Sequence, residues 1–224
     1  MLNLLNLQQL AKTHQTDIEN IMREYCQHLF LSFLYQQIGS EKIMFKGGTA
    51  LRIILNSPRF SEDLDFTGIN IIDNEVEDIF TNTFINIEKS GIKVEIKEGK
   101  STSGGYLSIS YFYIYDYKIA IQLEVSLRRG KGKSGTRTII QNDYTPSYTL
   151  VSVSMDELIK GKLEALKSRS KPRDFYDFFF LLSGNYPQVR EKSVLITIKK
   201  LILNSQINFH TELKKFLPAS QARQ

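Results

Sequence analysis

Apolar positions along this chain recur with two periods. From Thr16 to a closing Gly39, the residues Ile18, Ile21, Met22, Leu29, Phe30, Phe33 and Leu34 fall at helical spacing and predict a core helix over 16–38. A shorter helix over 2–13 precedes it. Asn74 to Lys89 repeats the pattern, with Val76, Ile79, Phe80, Phe84 and Ile87 on the inner face and Gly91 as the stop. Alternation takes over elsewhere. It predicts a strand at Ile43–Phe45, another carrying Leu64 and Phe66, and strands near 92–97, 106–116 and 118–128, which turn around Ser103-Gly104-Gly105. Beyond Val151 the pattern is helical to the end. The composite is an α+β fold, a mixed sheet flanked by helices, with residues 1–150 as one domain and 151–224 as a helical second.

One segment departs from mere packing. Phe45 to Phe66 reads FKGGTALRIILNSPRFSEDLDF. Lys46-Gly47-Gly48-Thr49 opens a short helix through Leu55, ended by Asn56-Ser57-Pro58. A helix start offers unpaired N–H groups and a positive dipole end, and glycines let an anion approach the backbone. Thr49 can cap that helix or bind a phosphate oxygen. Asp63 and Asp65 then alternate with Leu64 and Phe66, which puts both carboxylates on one strand face while the apolar pair enters the core. Two carboxylates so close repel each other unless a cation lies between them. Mg²⁺, which takes one or two carboxylates plus substrate phosphate oxygens, answers that need. A Gly-Gly turn alone, or a D-x-D alone, reads as structure; joined, they read as a site for a nucleoside triphosphate and a metal.

The wording GGTALR followed by RFSEDLDF resembles the AbiEii/AbiGii-type nucleotidyltransferase toxins, within the DNA polymerase β-like nucleotidyltransferase superfamily. A second block, Glu157 to Leu182 (ELIKGKLEALKSRSKPRDFYDFFFLL), is similar to that family's lysine helix and R-D-x-x-D helix. The resemblance spans roughly residues 40–185. It implies a nucleotidyltransferase-like sheet, an NTP as donor, Mg²⁺ or Mn²⁺ as cofactor, and a third acid from a later strand. Glu124 fits, on the polar face of the 118–128 strand with Gln122 and Ser126, while Ile119, Ile121, Leu123, Val125 and Leu127 form the apolar face. Asp116 is the alternative. The metal set is then Asp63, Asp65 and Glu124.

Ser154-Met155-Asp156-Glu157 has the spacing of a capping box at the start of the lysine helix. The resemblance picks Lys162 over Lys160 and Lys167 as the triphosphate contact, offsetting charge on the departing pyrophosphate. It also places Gly47, Gly48, Thr49, Ser61, Arg173 and Asp177 at the nucleotide. Asp174 already has a structural reason to stand at a helix N-terminus, and Arg173 could pair with Asp174 or Asp177.

Composition adjusts this picture in three ways. With 42% hydrophobic residues in 224, the chain can bury a substantial core. A single cysteine and three scattered histidines exclude a disulfide framework and give no zinc spacing. No long apolar run or signal-peptide layout is present, so a soluble cytoplasmic protein with no membrane contact is expected. The net charge of +5 fits an anionic partner. Arg128, Arg129, Lys131, Lys133 and Arg137 cluster with Gly130, Gly132 and Gly135 after the Glu124 strand. This stretch reads equally as a loop touching RNA phosphates or the triphosphate, and as a solvated hairpin tip.

The expected activity is magnesium-dependent transfer of a nucleoside monophosphate from an NTP to RNA, in particular a tRNA 3′ end. The resemblance implies the toxin of a toxin–antitoxin or phage-defence system, with a cognate antitoxin. Transfer to a small molecule or protein hydroxyl is the alternative, followed by a non-catalytic nucleotide- or RNA-binding protein.

Overall fold

The computed structural model describes residues 2–130, 134–204 and 213–221. Two helices lead, α1 (Leu4–Thr13) and α2 (Ile18–Leu34), and α2 is buried along most of its length. A one-turn 3₁₀ segment, Ser40–Lys42, delivers the chain into β1 (Ile43–Lys46), followed by α3 (Gly47–Leu55) and β2 (Leu64–Ile69). Helix α4 (Asp73–Lys89) then precedes β3 (Lys93–Thr102), β4 (Gly105–Ile114) and β5 (Tyr117–Arg128). Two short strands, β6 (Thr136–Ile140) and β7 (Tyr148–Ser152), lead into α5 (Met155–Arg169), α6 (Pro172–Ser183), α7 (Pro187–Arg190) and α8 (Lys192–Asn204).

All seven strands form one mixed sheet in the order β3-β4-β5-β2-β1-β7-β6. The hairpin pairs β3/β4, β4/β5 and β6/β7 are antiparallel, as is β1/β2, whereas β2/β5 and β1/β7 are parallel. This is the predicted α+β class with a helical C-terminal segment. The β3-β4-β5 meander turns at Ser103-Gly104 and at Tyr115-Asp116.

Two strands depart from expectation. The 128–137 stretch does not run on as one basic loop, because Arg137 lies in β6 opposite Val151. Strand β7 adds to β1, so the chain is not purely helical until Met155. Neither strand has a local signal strong enough to announce itself; β7 exists because β1 offers it a parallel edge.

The core lies between the sheet and α2 and α4. Phe66 of β2 meets the rings of Phe30, Phe45 and Phe80 at centroid distances of 6.4, 5.5 and 6.1 Å. Phe84 of α4 extends the cluster to Phe30 and Phe112. These apolar positions cover one face of β1, β2 and β5 and hold the strands rigid. The opposite face of the same strands is left for chemistry.

Candidate active site

A cleft of about 700 Å³ opens over that face. Its floor is Met44 and Lys46 of β1 with Asp65, Thr67 and Ile69 of β2, and its rim carries Arg128 and Arg129. Helix α5 forms the wall through Glu157, Lys160, Lys162 and Arg169, and the N-terminus of α3 enters at Gly47 and Gly48. A space of this size accommodates a nucleoside triphosphate.

Strand pairing builds a charged row across the floor. Lys46 stands opposite Asp65 in the β1/β2 register, and Asp65 stands opposite Glu124 in the β2/β5 register. Residues directly paired across strands share a face, so one cation and two carboxylates line up side by side. Lys46 Nζ donates to Ser126 Oγ at 3.1 Å. Asp63 sits one residue before β2 begins, in the bend that feeds the strand rather than on it. Its carboxyl is pushed up to about 6 by burial and by the nearby charges of Asp65, Glu62 and Glu124, with Arg173 opposing. Burial also raises Asp65, against the pull of Lys162, Lys46, Arg169 and Arg173. Asp116, the alternative third acid, lies in the β4–β5 turn, at the far end of β5 from the Asp65–Glu124 pair.

Gly47 and Gly48 are there because nothing larger fits. Gly47 has φ +90° and its Cα backs directly onto the Asp65 carboxylate. At Gly48, Arg59, Ser61 and Lys162 crowd the position a Cβ would take. Thr49 takes neither of its expected roles: its buried hydroxyl donates to the carbonyl of Asp63. That bond ties the helix start to the D-x-D bend. Gln27 of α2 donates to the carbonyls of Ser61 and Glu62, at 2.9 and 3.2 Å, and fixes the same bend from below.

On the α5 side, the Ser154 hydroxyl accepts from the Glu157 amide and Glu157 accepts in turn from the Ser154 amide, so the capping box forms. Lys162 is buried, whereas Lys160 and Lys167 face solvent. Its ammonium donates to Asp177 Oδ2 at 2.8 Å. Asp177, 1% exposed, also accepts from Arg59 Nε and Nη2 at 2.8 and 3.1 Å. Burial works to raise the Asp177 carboxyl, yet Lys162 and Arg59 hold it below its usual range. Asp174 is paired by Arg169, whose Nε and Nη2 reach both of its oxygens, and it accepts from the Lys171 amide at 3.1 Å. Arg173 is near enough for its charge to act on Asp63 and Asp65.

Of the expected site residues, Gly47, Gly48, Asp65 and Lys162 line the cleft, with Arg128 and Arg129 at its rim. Ser61 Oγ approaches Gly48, Asp63 lies two residues before Asp65, and Glu124 stands opposite Asp65 in the sheet, but none of these three lines the cleft. Lys131 and Lys133 lie outside the described residues. Three contributors escape a reading by type and spacing: Lys46, Arg59 and Arg169. Lys46 and Arg59 stand inside the Phe45–Phe66 segment, but only the fold shows what they face.

A Mg²⁺ ion fits this donor set. Asp63 and Asp65 are partly buried carboxylates, both raised by burial and Asp63 also by its acidic neighbours, a condition that a hard cation relieves. Among the described residues, no three carboxylate, histidine or cysteine side chains close around a point as a ready cage. The protein would therefore supply part of the coordination shell and leave the rest to phosphate oxygens and water.

Residues 29–216 match the model of the nucleotidyl transferase AbiEii toxin family of type IV toxin–antitoxin systems. The chain belongs to the AbiEii family. It is a nucleotidyltransferase of that toxin group, and membership implies an NTP donor and an antitoxin partner. Among solved structures, JHP933 from Helicobacter pylori has the same fold, with a TM-score of 0.60 and 21% identity over 83% of this chain and 75% of that one. A provisionally named nucleotidyltransferase from H. pylori superposes with a TM-score of 0.55 and 21% identity, over 80% and 75% of the two chains. No curated protein matches. Among the described residues, no helix is long and apolar enough to cross a membrane.

Proposed function

We propose that this AbiEii-family chain transfers a nucleoside monophosphate from an NTP to a hydroxyl of RNA, the 3′ end of tRNA in particular, with Mg²⁺ or Mn²⁺ as cofactor. The observation that carries the reading is the single cleft holding both halves of the chemistry. One half is anion-binding: the α3 N-terminus at Gly47-Gly48 beside Lys162. The other is acidic: Asp65 on the cleft floor, with Asp63 two residues before it and Glu124 opposite it in the sheet. Lys46, Arg128, Arg129, Lys160 and Arg169 add cations along the cleft, as a polyanionic acceptor requires.

The donor's terminal phosphates lie against the amides of the α3 start and the Lys162 ammonium. Asp63 and Asp65, with Glu124 beside them, would supply part of the metal's coordination shell, and the metal would supply charge neutralisation at the phosphates and acidify the attacking hydroxyl. The acceptor oxygen forms a bond to the α-phosphorus as the bond from that phosphorus to the bridging oxygen breaks, and pyrophosphate departs. Lys162 offsets the charge growing on that oxygen. Glu124, exposed beside Asp65, receives the acceptor's proton. Arg128 and Arg129 contact the RNA backbone and carry no sequence preference of their own.

The test is incubation with each α-labelled NTP and Mg²⁺, with and without total RNA. Label on RNA of tRNA size is the expected result. Pyrophosphate release with label on protein or a small molecule would reassign the acceptor. No release under any condition would overturn the reading.

A further inference from the structure

Side-chain atoms from three residues converge on one point. A Cβ placed on Gly48 would lie 2.8 Å from Arg59 Nη2, 3.0 Å from Ser61 Oγ and 3.5 Å from Lys162 Nζ. Two of these groups share an anchor. Arg59 and Lys162 both close on Asp177, which stands 118 residues from Arg59 in the chain and 15 from Lys162. Asp177 is buried behind both cations and does not line the cleft. Its part is therefore exercised through Lys162 and not by touching a nucleotide.

The charge count matters. A carboxylate paired with Lys162 alone would neutralise it and draw it back from the cleft. Here Oδ1 is taken by Arg59 Nε, and Oδ2 is divided between Arg59 Nη2 at 3.1 Å and Lys162 at 2.8 Å. Two cations on one carboxylate leave a net positive charge beside the α3 N-terminus. Arg59 is itself locked, because its Nη1 donates to the Phe60 carbonyl at 3.0 Å and the Phe60 amide donates to the Phe216 carbonyl at 2.8 Å. A planar fork engages both oxygens of a carboxylate in a way that a lysine cannot.

We propose that Arg59, acting through Asp177, is a positioning residue for Lys162: it occupies the shared carboxylate so that the lysine is aimed at Gly48 yet keeps its charge for the triphosphate. This rests on the nucleotidyltransferase reading of the cleft and extends it to two residues that do not line it.

The test compares Arg59→Gln, Arg59→Lys and Asp177→Asn in the full chain, with thermal melting as a check on folding. The probes are calorimetric binding of inorganic pyrophosphate and steady-state kinetics for the NTP and RNA. In Arg59→Gln, Asp177 is left to Lys162 alone, so pyrophosphate binding weakens roughly tenfold or more and KM for the NTP rises in step, while KM for RNA holds. In Arg59→Lys the charge returns without the fork, so KM recovers and kcat stays low. In Asp177→Asn both cations lose their anchor but keep their charge, so pyrophosphate binding is retained or tighter while kcat falls.

A folded Arg59→Gln variant within about twofold of wild type in pyrophosphate affinity would overturn the proposal. So would parallel losses in Arg59→Lys and Asp177→Asn, which decide the matter if Arg59→Gln does not fold. Wild-type protein that neither binds pyrophosphate nor transfers label would instead sink the reading of the cleft itself.

Discussion

Gly47 stands so close to Asp65 that a Cβ on the glycine would lie 2.1 Å from Asp65 Oδ2. With φ at +90°, the position is also strained for any L side chain. Gly47→Ala should therefore lose about 1–2 kcal/mol from the backbone alone, and displace a carboxylate of the site besides. The expected result is a lower Tm together with no detectable transfer. Gly48→Ala meets Arg59 Nη2 and Ser61 Oγ, and because Arg59 is held by Asp177 and the Phe60 carbonyl, it should lower Tm, though less than Gly47→Ala does, and bind pyrophosphate poorly.

Asp63→Asn should separate stability from activity. Burial and neighbouring carboxylates push Asp63 up to about 6, so its ionised form opposes folding at neutral pH. Replacing it with a neutral isostere removes that penalty, by about 1 kcal/mol once solvent screening is allowed for. Tm should rise by roughly 2–4 °C without added metal, while label transfer disappears. A falling Tm would show that the charge is structurally required.

His28 makes stability depend on pH in the opposite sense. Burial lowers it from 6.5 to about 4, despite the charge of Glu24, and its Nδ1 lies 2.9 Å from the Tyr148 hydroxyl. The neutral ring is the folded form. The unfolded chain binds the extra proton between those values, so His28's contribution is complete above pH 6.5 and is lost as pH falls towards 4. The full effect is about 3 kcal/mol. Asp63 pulls the other way over much of this range, so the reading is the difference between wild type and His28→Gln in denaturant melts at about pH 4.5 and 7. The variant should lose less stability on acidification than wild type does.

Arg128 and Arg129 should act on the acceptor and not on the donor. Arg128→Gln/Arg129→Gln is expected to raise KM for RNA and to reduce the salt slope of RNA binding by about 2, one for each phosphate that the variant no longer neutralises. Pyrophosphate affinity should be unchanged. An unchanged salt slope would remove both residues from the RNA path.

Periodicity exposes the parts of this fold that pack against their own neighbours in sequence. The stripes of α2 and α4 and the alternation of β4 and β5 mark their inner faces directly. Likewise Asp65 and Glu124 each alternate with apolar residues, and the sheet sets them opposite each other. What stays hidden depends on distant partners. Thr136–Ile140 and Tyr148–Ser152 are short and become strands through each other and β1. Arg59 looks like one more loop cation until α6 brings Asp177 to it. The hydroxyl of Thr49 had two local uses open to it, and the fold chose a third, because the Asp63 carbonyl arrives from another segment.

The bend carrying Arg59, Ser61 and Asp63 is fastened from far downstream. Phe60 bonds to Phe216, Lys215 reaches Glu62 at 3.2 Å, and Asn20 of α2 donates to the Lys215 carbonyl at 2.7 Å. The reactive centre is therefore set by a clasp far away in sequence, with 153 positions separating Lys215 from Glu62. Removing residues 213–221 should loosen that bend and cost transfer more than it costs Tm, a comparison that label transfer and thermal melting together would decide.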